Sequence, residues 1–220
     1  MTQFDNTYSE AFQLFDNGQL EEAETLYREC LYLSDNDLEK EMRSLHGLGF
    51  TLAMQERFAE SLDCYKRVLA ISQIKQNVSD EAIAYHQIGM VYRLEKDYAQ
   101  ALQAFGQEKE LRERLLPEDF IGFSANAYEF GIIALAENRL SESKRFFEEA
   151  LHQGQQANDL MCIACAQRGK GQYFVANGEI DNAAEAFSMS ISAFEQAGVE
   201  NAAQEVRLMR QEFCYGEKLQ

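Results

Sequence analysis

The residues of this 220-residue chain that could do chemistry recur at a regular interval. Tyr8, His46, His86, Tyr128 and Arg168 lie 38, 40, 42 and 40 positions apart. Such a column offers hydrogen-bond donors and one permanent positive charge, the chemistry that recognises a carboxylate or an acidic residue. A second column, Phe12, Phe50, Met90, Ile132 and Gln172, is mostly apolar, and a turn further along stand Phe15, Ala53, Arg93, Leu135 and Val175. His46 and His86 read as polar recognition groups, because two histidines supply no third and fourth metal ligand. Neither a metal nor a cofactor is expected.

Catalytic signatures are not spelled out. There is no Gly-rich phosphate loop, no His-x-x-x-His pair, and no Ser or Cys nucleophile beside a candidate base. Glu21-Glu22 and Glu148-Glu149 are adjacent, so on a helix they point to different sides and cannot act on one bond. Cys162-Ile163-Ala164-Cys165 has redox or zinc spacing, but it sits in a helical pattern without a second such pair, which reads as small residues packing between helices. No enzyme activity is expected.

The elements that position these columns follow from the small residues Ala11, Gly49, Gly89, Gly131 and Gly171, again 38, 40, 42 and 40 apart. A fixed period of this length marks a repeat array. Each unit reads as a helical hairpin. The first helix carries the small residue, where a partner backbone is expected to approach closely. The second carries a small residue and then an aromatic four places on, as in Ala23/Tyr27, Ser61/Tyr65, Ala101/Phe105, Ser143/Phe147 and Ala183/Phe187, which puts both on one face. Gly18 supplies a turn, the connections Ser34-Asp35-Asn36-Asp37 and Asn77-Val78-Ser79-Asp80 each offer an N-cap to the helix that follows, Pro117 ends a helix and Asp119 can cap the next. The repeats span about 4–36, 37–76, 79–116, 119–157 and 159–197 of one array over 1–220, and an amphipathic helix near 200–214, with Val206, Met209 and Phe213 on one face, caps its end. In repeat three, Glu108-Lys109 replaces the apolar pairs of its siblings, and is expected to be paired or exposed by a local helix shift.

The pattern Leu-Gly-x-x-Tyr, a tight turn, then Tyr-x-x-Ala-x-x-x-Phe resembles the tetratricopeptide repeat, and the likeness runs through nearly the whole chain. The period exceeds the usual 34 residues and is similar to the variant in kinesin light chains and bacterial peptide-pheromone regulators. The resemblance implies an all-α fold, a right-handed α-solenoid of five hairpins plus the capping helix, whose first helices line a concave groove. It also implies a scaffold or adaptor whose groove, lined by Tyr8, Phe12, His46, Phe50, His86, Met90, Arg93, Tyr128, Ile132, Arg168 and Gln172, holds a peptide or protein segment. The family's chaperone-tail clamp uses Lys and Asn on first helices, and those places here hold Tyr8 and Phe12.

Net charge of −17 argues against a nucleic-acid partner, since phosphate binding needs clustered Lys and Arg. Residues 1–40 alone hold ten Asp or Glu against Arg28 and Lys40. The longest apolar run, Gly131 to Ala136, is far too short to span a membrane. No secretory leader and an odd count of five Cys point to a cytoplasmic protein. A peptide-sensing regulatory module and a self-associating homo-oligomer are the competing readings.

Overall fold

The computed structural model describes residues 2–216, which form eleven α-helices. These are α1 (Gln3–Asp16), α2 (Leu20–Leu33), α3 (Leu38–Met54), α4 (Phe58–Lys75), α5 (Val78–Leu94), α6 (Tyr98–Leu115), α7 (Phe120–Ala136), α8 (Leu140–Gln156), α9 (Leu160–Ala176), α10 (Ile180–Gln196) and α11 (Glu200–Tyr215). The chain divides into two compact units, Met1–Leu111 and Arg112–Gln220, and the division falls inside α6. In the first unit α1 pairs with α2 and α3 with α4, while α2 packs on α3 and α4 on α5. In the second, α7 pairs with α8 and α9 with α10, α8 packs on α9, and α11 closes on α10 and α9.

Two kinds of junction set these helices. Entry into a first helix is capped by a side chain: Asp37 accepts from the amides of Glu39 and Lys40, Asn77 from Ser79 and Asp80, Asp119 from Gly122, and Asp159 from Cys162. Short polar side chains satisfy amides that the helix leaves free. Entry into a second helix has no such cap at Gln19, Arg57, Arg139 or Glu179. There the turn itself supplies the bonds. The residue before each takes left-handed backbone, φ 76° at Gly18, 61° at Glu56, 57° at Asn138 and 78° at Gly178. The next amide then reaches back to the first helix, as from Arg57 to Leu52 O at 2.9 Å and from Arg139 to Ala134 O at 2.8 Å.

The small-residue column has a different cause from the expected backbone approach. A Cβ on Gly131 would lie 2.6 Å from the Phe147 ring, and one on Gly171 2.5 Å from the Phe187 ring. The glycine is a seat for the aromatic ring of its own second helix. Tyr65, Phe105, Phe147 and Phe187 are buried on such seats, while Tyr27, whose own first helix carries Ala11, is buried against Gly47 of the next hairpin; each such side chain stabilises by about 1.5–3 kcal/mol. The small residue of the second helix closes the same joint: Ser61 Oγ donates to Gly49 O at 2.7 Å and Ser143 Oγ to Gly131 O at 3.0 Å.

Glu108 occupies the position that Cys30, Val68, Ala150 and Ser190 fill in the other second helices, and like them it is fully buried. No helix shift exposes it. Its carboxyl group meets His86 Nδ1 at 2.9 Å, so the buried polar group has a hydrogen-bond partner inside the fold.

The α11 helix departs from expectation at its apolar face. Ala203 and Val206 are buried against α9 and α10 with Ala202 and Cys214 beside them, whereas Phe213 is 42% exposed. Arg207 is half-buried and pairs with Glu200 at 2.7 Å and with Glu195.

Candidate functional site

Each expected first-column residue in four hairpins lies over the ring of its own second helix. Centroid separations are 5.6 Å for Tyr8 and Tyr27, 5.9 Å for His46 and Tyr65, 5.5 Å for His86 and Phe105, and 5.8 Å for Tyr128 and Phe147. The column does not simply point away from the second helix: one face of each ring is packed and the other side is left half-buried.

In the first unit the two columns converge. Tyr8, Phe12, His46, Phe50 and Met90 line one cavity of about 310 Å³, together with Phe15, Tyr27, Gly47, Tyr65 and Gln87. That volume is at the small end for ligand pockets, about 300–1,000 Å³. Helices α1, α3 and α5 supply the walls, and the α2 and α4 tyrosines supply the floor. Phe12 is 56% exposed, a large apolar ring held at the rim, and Phe15 and Phe50 meet with centroids 5.1 Å apart. Of the remaining first-unit candidates, His86 is turned onto Glu108, and Arg93 is half-buried; neither lines this cavity.

No charged side chain lines the cavity, and its polar groups are phenols, one carboxamide and His46. Burial pushes the His46 pKa below its ordinary value, opposed by the charge of Asp80, so the imidazole is neutral at pH 7. A neutral apolar wall of this kind accepts an uncharged aromatic or aliphatic group and rejects a charge, whose desolvation nothing there repays. At the outer side of Tyr8, Arg43 lies over the ring with its guanidinium carbon 4.5 Å from the centroid, a cation–π contact. Sequence reasoning missed Arg43, Tyr27 and Tyr65 as neighbours of the site. The i, i+4 aromatics were legible as packing residues, and only the glycine seats reveal that the rings pass under the first helix far enough to form a floor.

In the second unit Tyr128, Ile132, Arg168 and Gln172 are all half-buried. Arg168 Nη2 donates to Tyr128 Oη at 2.9 Å, joining α9 to α7. Ile132 stands one turn beyond Tyr128 on α7, and Gln172 one turn beyond Arg168 on α9.

The paired cysteines are packing residues. Burial pushes the Cys162 thiol up to about 12 and raises Cys165 as well, so neither carries thiolate at neutral pH. Among the described residues no group of three His, Cys, Asp or Glu could hold a metal ion, and no helix is long and apolar enough to cross a membrane.

Tetratricopeptide repeat family models match residues 5–74 and 82–112. Similar solved structures include a Rap protein complexed with Competence and Sporulation Factor, at TM-score 0.81 and 16% identity, covering 97% of this chain and 60% of that one. The apo form of RapI matches at TM-score 0.69 and 15% identity over 95% of this chain and 82% of its own. A putative kinesin light chain with nearly identical TPR-like repeats from Podospora anserina matches at 0.62 and 15% identity, over 89% and 96%. The chain thus spans 60% of the length of the first Rap protein. No curated protein matches the chain by sequence. With the hairpin geometry, the ring seats and these matches together, the chain is a tetratricopeptide-like, all-α helical-repeat protein that resembles the Rap proteins and the kinesin light chain repeats.

Proposed function

We propose that this chain is a protein-interaction module that binds a peptide or protein segment against its first helices, with the α1–α3–α5 cavity receiving an uncharged apolar side chain. The observation that carries the reading is the cavity itself: aromatic walls, no charge, and an exposed Phe12 at the rim. Leaving such a ring in water is unfavourable, and covering it with a partner's apolar group is a source of affinity. The tetratricopeptide match supports the class of function, and the structurally similar Rap protein was solved complexed with Competence and Sporulation Factor.

Selection of displayed random peptides against wild type tests the reading, with Phe50→Asp as the parallel target. Enriched peptides should share an aromatic or large aliphatic residue and lose retention on Phe50→Asp. Identical peptides enriched on both proteins would place recognition elsewhere.

Self-association is the second reading, and it draws on Phe213 and Tyr215, which stand 42% and 62% exposed near the end of α11. Light scattering distinguishes it: a concentration-dependent dimer abolished by Phe213→Asp would favour this reading over an adaptor.

A further inference from the structure

The α9–α10 hairpin lacks a ring pair that the hairpin before it has. Between α7 and α8, Phe130 and Phe146 stack with centroids 5.3 Å apart. At the same places 40 positions on stand Lys170 and Ala186. A lysine stem and a methyl group fill less of that place than two rings, and a cavity of about 260 Å³ opens between the helices. Its lining includes Gln167, Lys170 and Phe174 of α9 and Glu185, Ala186 and Met189 of α10. The spacings of three and four place each set on one stripe of its helix. Neither Arg168 nor Gln172 of the first-helix columns lines it.

Gln167 marks the cavity as more than a packing gap. The residue is 3% exposed, yet its carboxamide makes no hydrogen bond to any described residue. Burying an amide without a partner is unfavourable. The repeat does not demand one there, since Thr7, Leu45, Tyr85 and Ala127 hold the same place in the other hairpins. A carboxamide sets donors and an acceptor side by side, and a second amide satisfies both at once. A carboxylate would offer acceptors alone, leaving the Gln167 carbonyl oxygen facing negative charge. The charges around the cavity also favour a neutral ligand. Lys170 and Glu185 both line it, neither ion-pairs with a described residue, and a single ion would be drawn to one and repelled by the other. Phe174 and the half-exposed Met189 supply an apolar wall. At about 260 Å³ the space lies below the usual range of about 300–1,000 Å³ for ligand pockets, so the group it takes is small.

We propose that the α9–α10 cavity binds a neutral primary carboxamide carried on an apolar group, with Gln167 exchanging a pair of hydrogen bonds with the amide and Phe174 and Met189 covering the apolar carbons. The site shares no residue with the α1–α3–α5 cavity and does not rest on the reading of that cavity.

The test uses the full chain and four probes: benzamide, benzoate, acetophenone, and butyramide as the equivalent of a glutamine side chain. Binding is read by NMR from the side-chain NH2 resonances of glutamine, the Gln167 pair being identified by its loss in Gln167→Met; in variants it is followed from the ligand's own resonances. Benzamide should shift that pair saturably, with benzoate and acetophenone each at least about fivefold weaker and Gln167→Met about tenfold weaker. The double variant Lys170→Phe/Ala186→Phe, which restores the ring pair of the preceding hairpin, should show no saturable binding. Thermal melts confirm that the variants fold, and Gln167→Met decides alone should the double variant not fold. Butyramide binding as well as benzamide means the site takes an aliphatic amide such as a glutamine side chain; benzamide binding alone means it takes an aromatic amide. Equal response to benzamide and benzoate, no response to either amide, or wild-type affinity in Gln167→Met overturns the site.

Discussion

At Gly49, Gly89, Gly131 and Gly171 the missing side chain makes room for a ring. Gly171 leaves no room for a methyl group because Phe187 fills the place, whereas Gly106 on α6 has nothing within 4 Å of where its Cβ would be. Opposite effects follow from the same substitution. Gly171→Ala should destabilise by about 1–3 kcal/mol through overpacking, and Gly106→Ala should stabilise by about 0.5–1 kcal/mol by removing backbone freedom from the unfolded chain; urea unfolding of the two variants measures both. The position of these glycines was legible in the sequence, but their partner was not, because spacing reports which residues share a face and not how far a ring reaches across the joint. His46 carries a second prediction at this scale. Its folded pKa lies below the ordinary 6.5, so the unfolded chain takes up the proton first. The stability it confers is fully present above 6.5 and is lost as pH falls through that value towards the folded pKa. Unfolding free energies at pH 7 and pH 5.5 should therefore differ more for wild type than for His46→Gln.

Helices and turns were the most legible level, because their signals are local. Asp119 caps the helix that the sequence assigns to it, and in the two polar connections 34–37 and 77–80 the caps are Asp37 and Asn77. The turns inside the hairpins carry a glycine only at Gly18 and Gly178, since Glu56, Lys96 and Asn138 adopt the same left-handed backbone without announcing it. An L side chain is strained there by about 1–2 kcal/mol. Glu56→Gly and Lys96→Gly should each raise stability by about 0.5–1 kcal/mol, the gain being less than the strain because glycine loses more freedom on folding. Unchanged or lower melting temperatures would contradict the turn geometry. The face of α11 was misread for a related reason. Val206, Met209 and Phe213 fit a helical stripe, but the end of α10 covers only the part of it around Ala203 and Val206, and a periodicity does not say where a neighbour stops.

At the scale of the molecule, repetition was readable and function only partly so. Five copies of one hairpin pattern specify an all-α repeat protein, and the fold comparisons agree at 15–16% identity. The candidate site was written across five repeats as two columns, and the structure divides their roles. Tyr8, Phe12, His46, Phe50 and Met90 meet in one cavity, Tyr128 and Arg168 join in the second unit, and His86 is engaged by Glu108. That last difference was out of reach because a buried Glu recruits whichever polar group lies opposite, here 22 positions away.

The central claim is that the α1–α3–α5 cavity recognises an apolar group of a bound segment. The measurement that bears on it most directly is the calorimetric affinity of one selected peptide for wild type, for Phe50→Asp in the cavity wall, and for Ile74→Asp on α4, where the side chain is 71% exposed and lies outside the cavity. A loss of at least about 30-fold in Phe50→Asp with wild-type affinity in Ile74→Asp is the expected result. Equal affinity of Phe50→Asp and wild type, or a loss confined to Ile74→Asp, would contradict it.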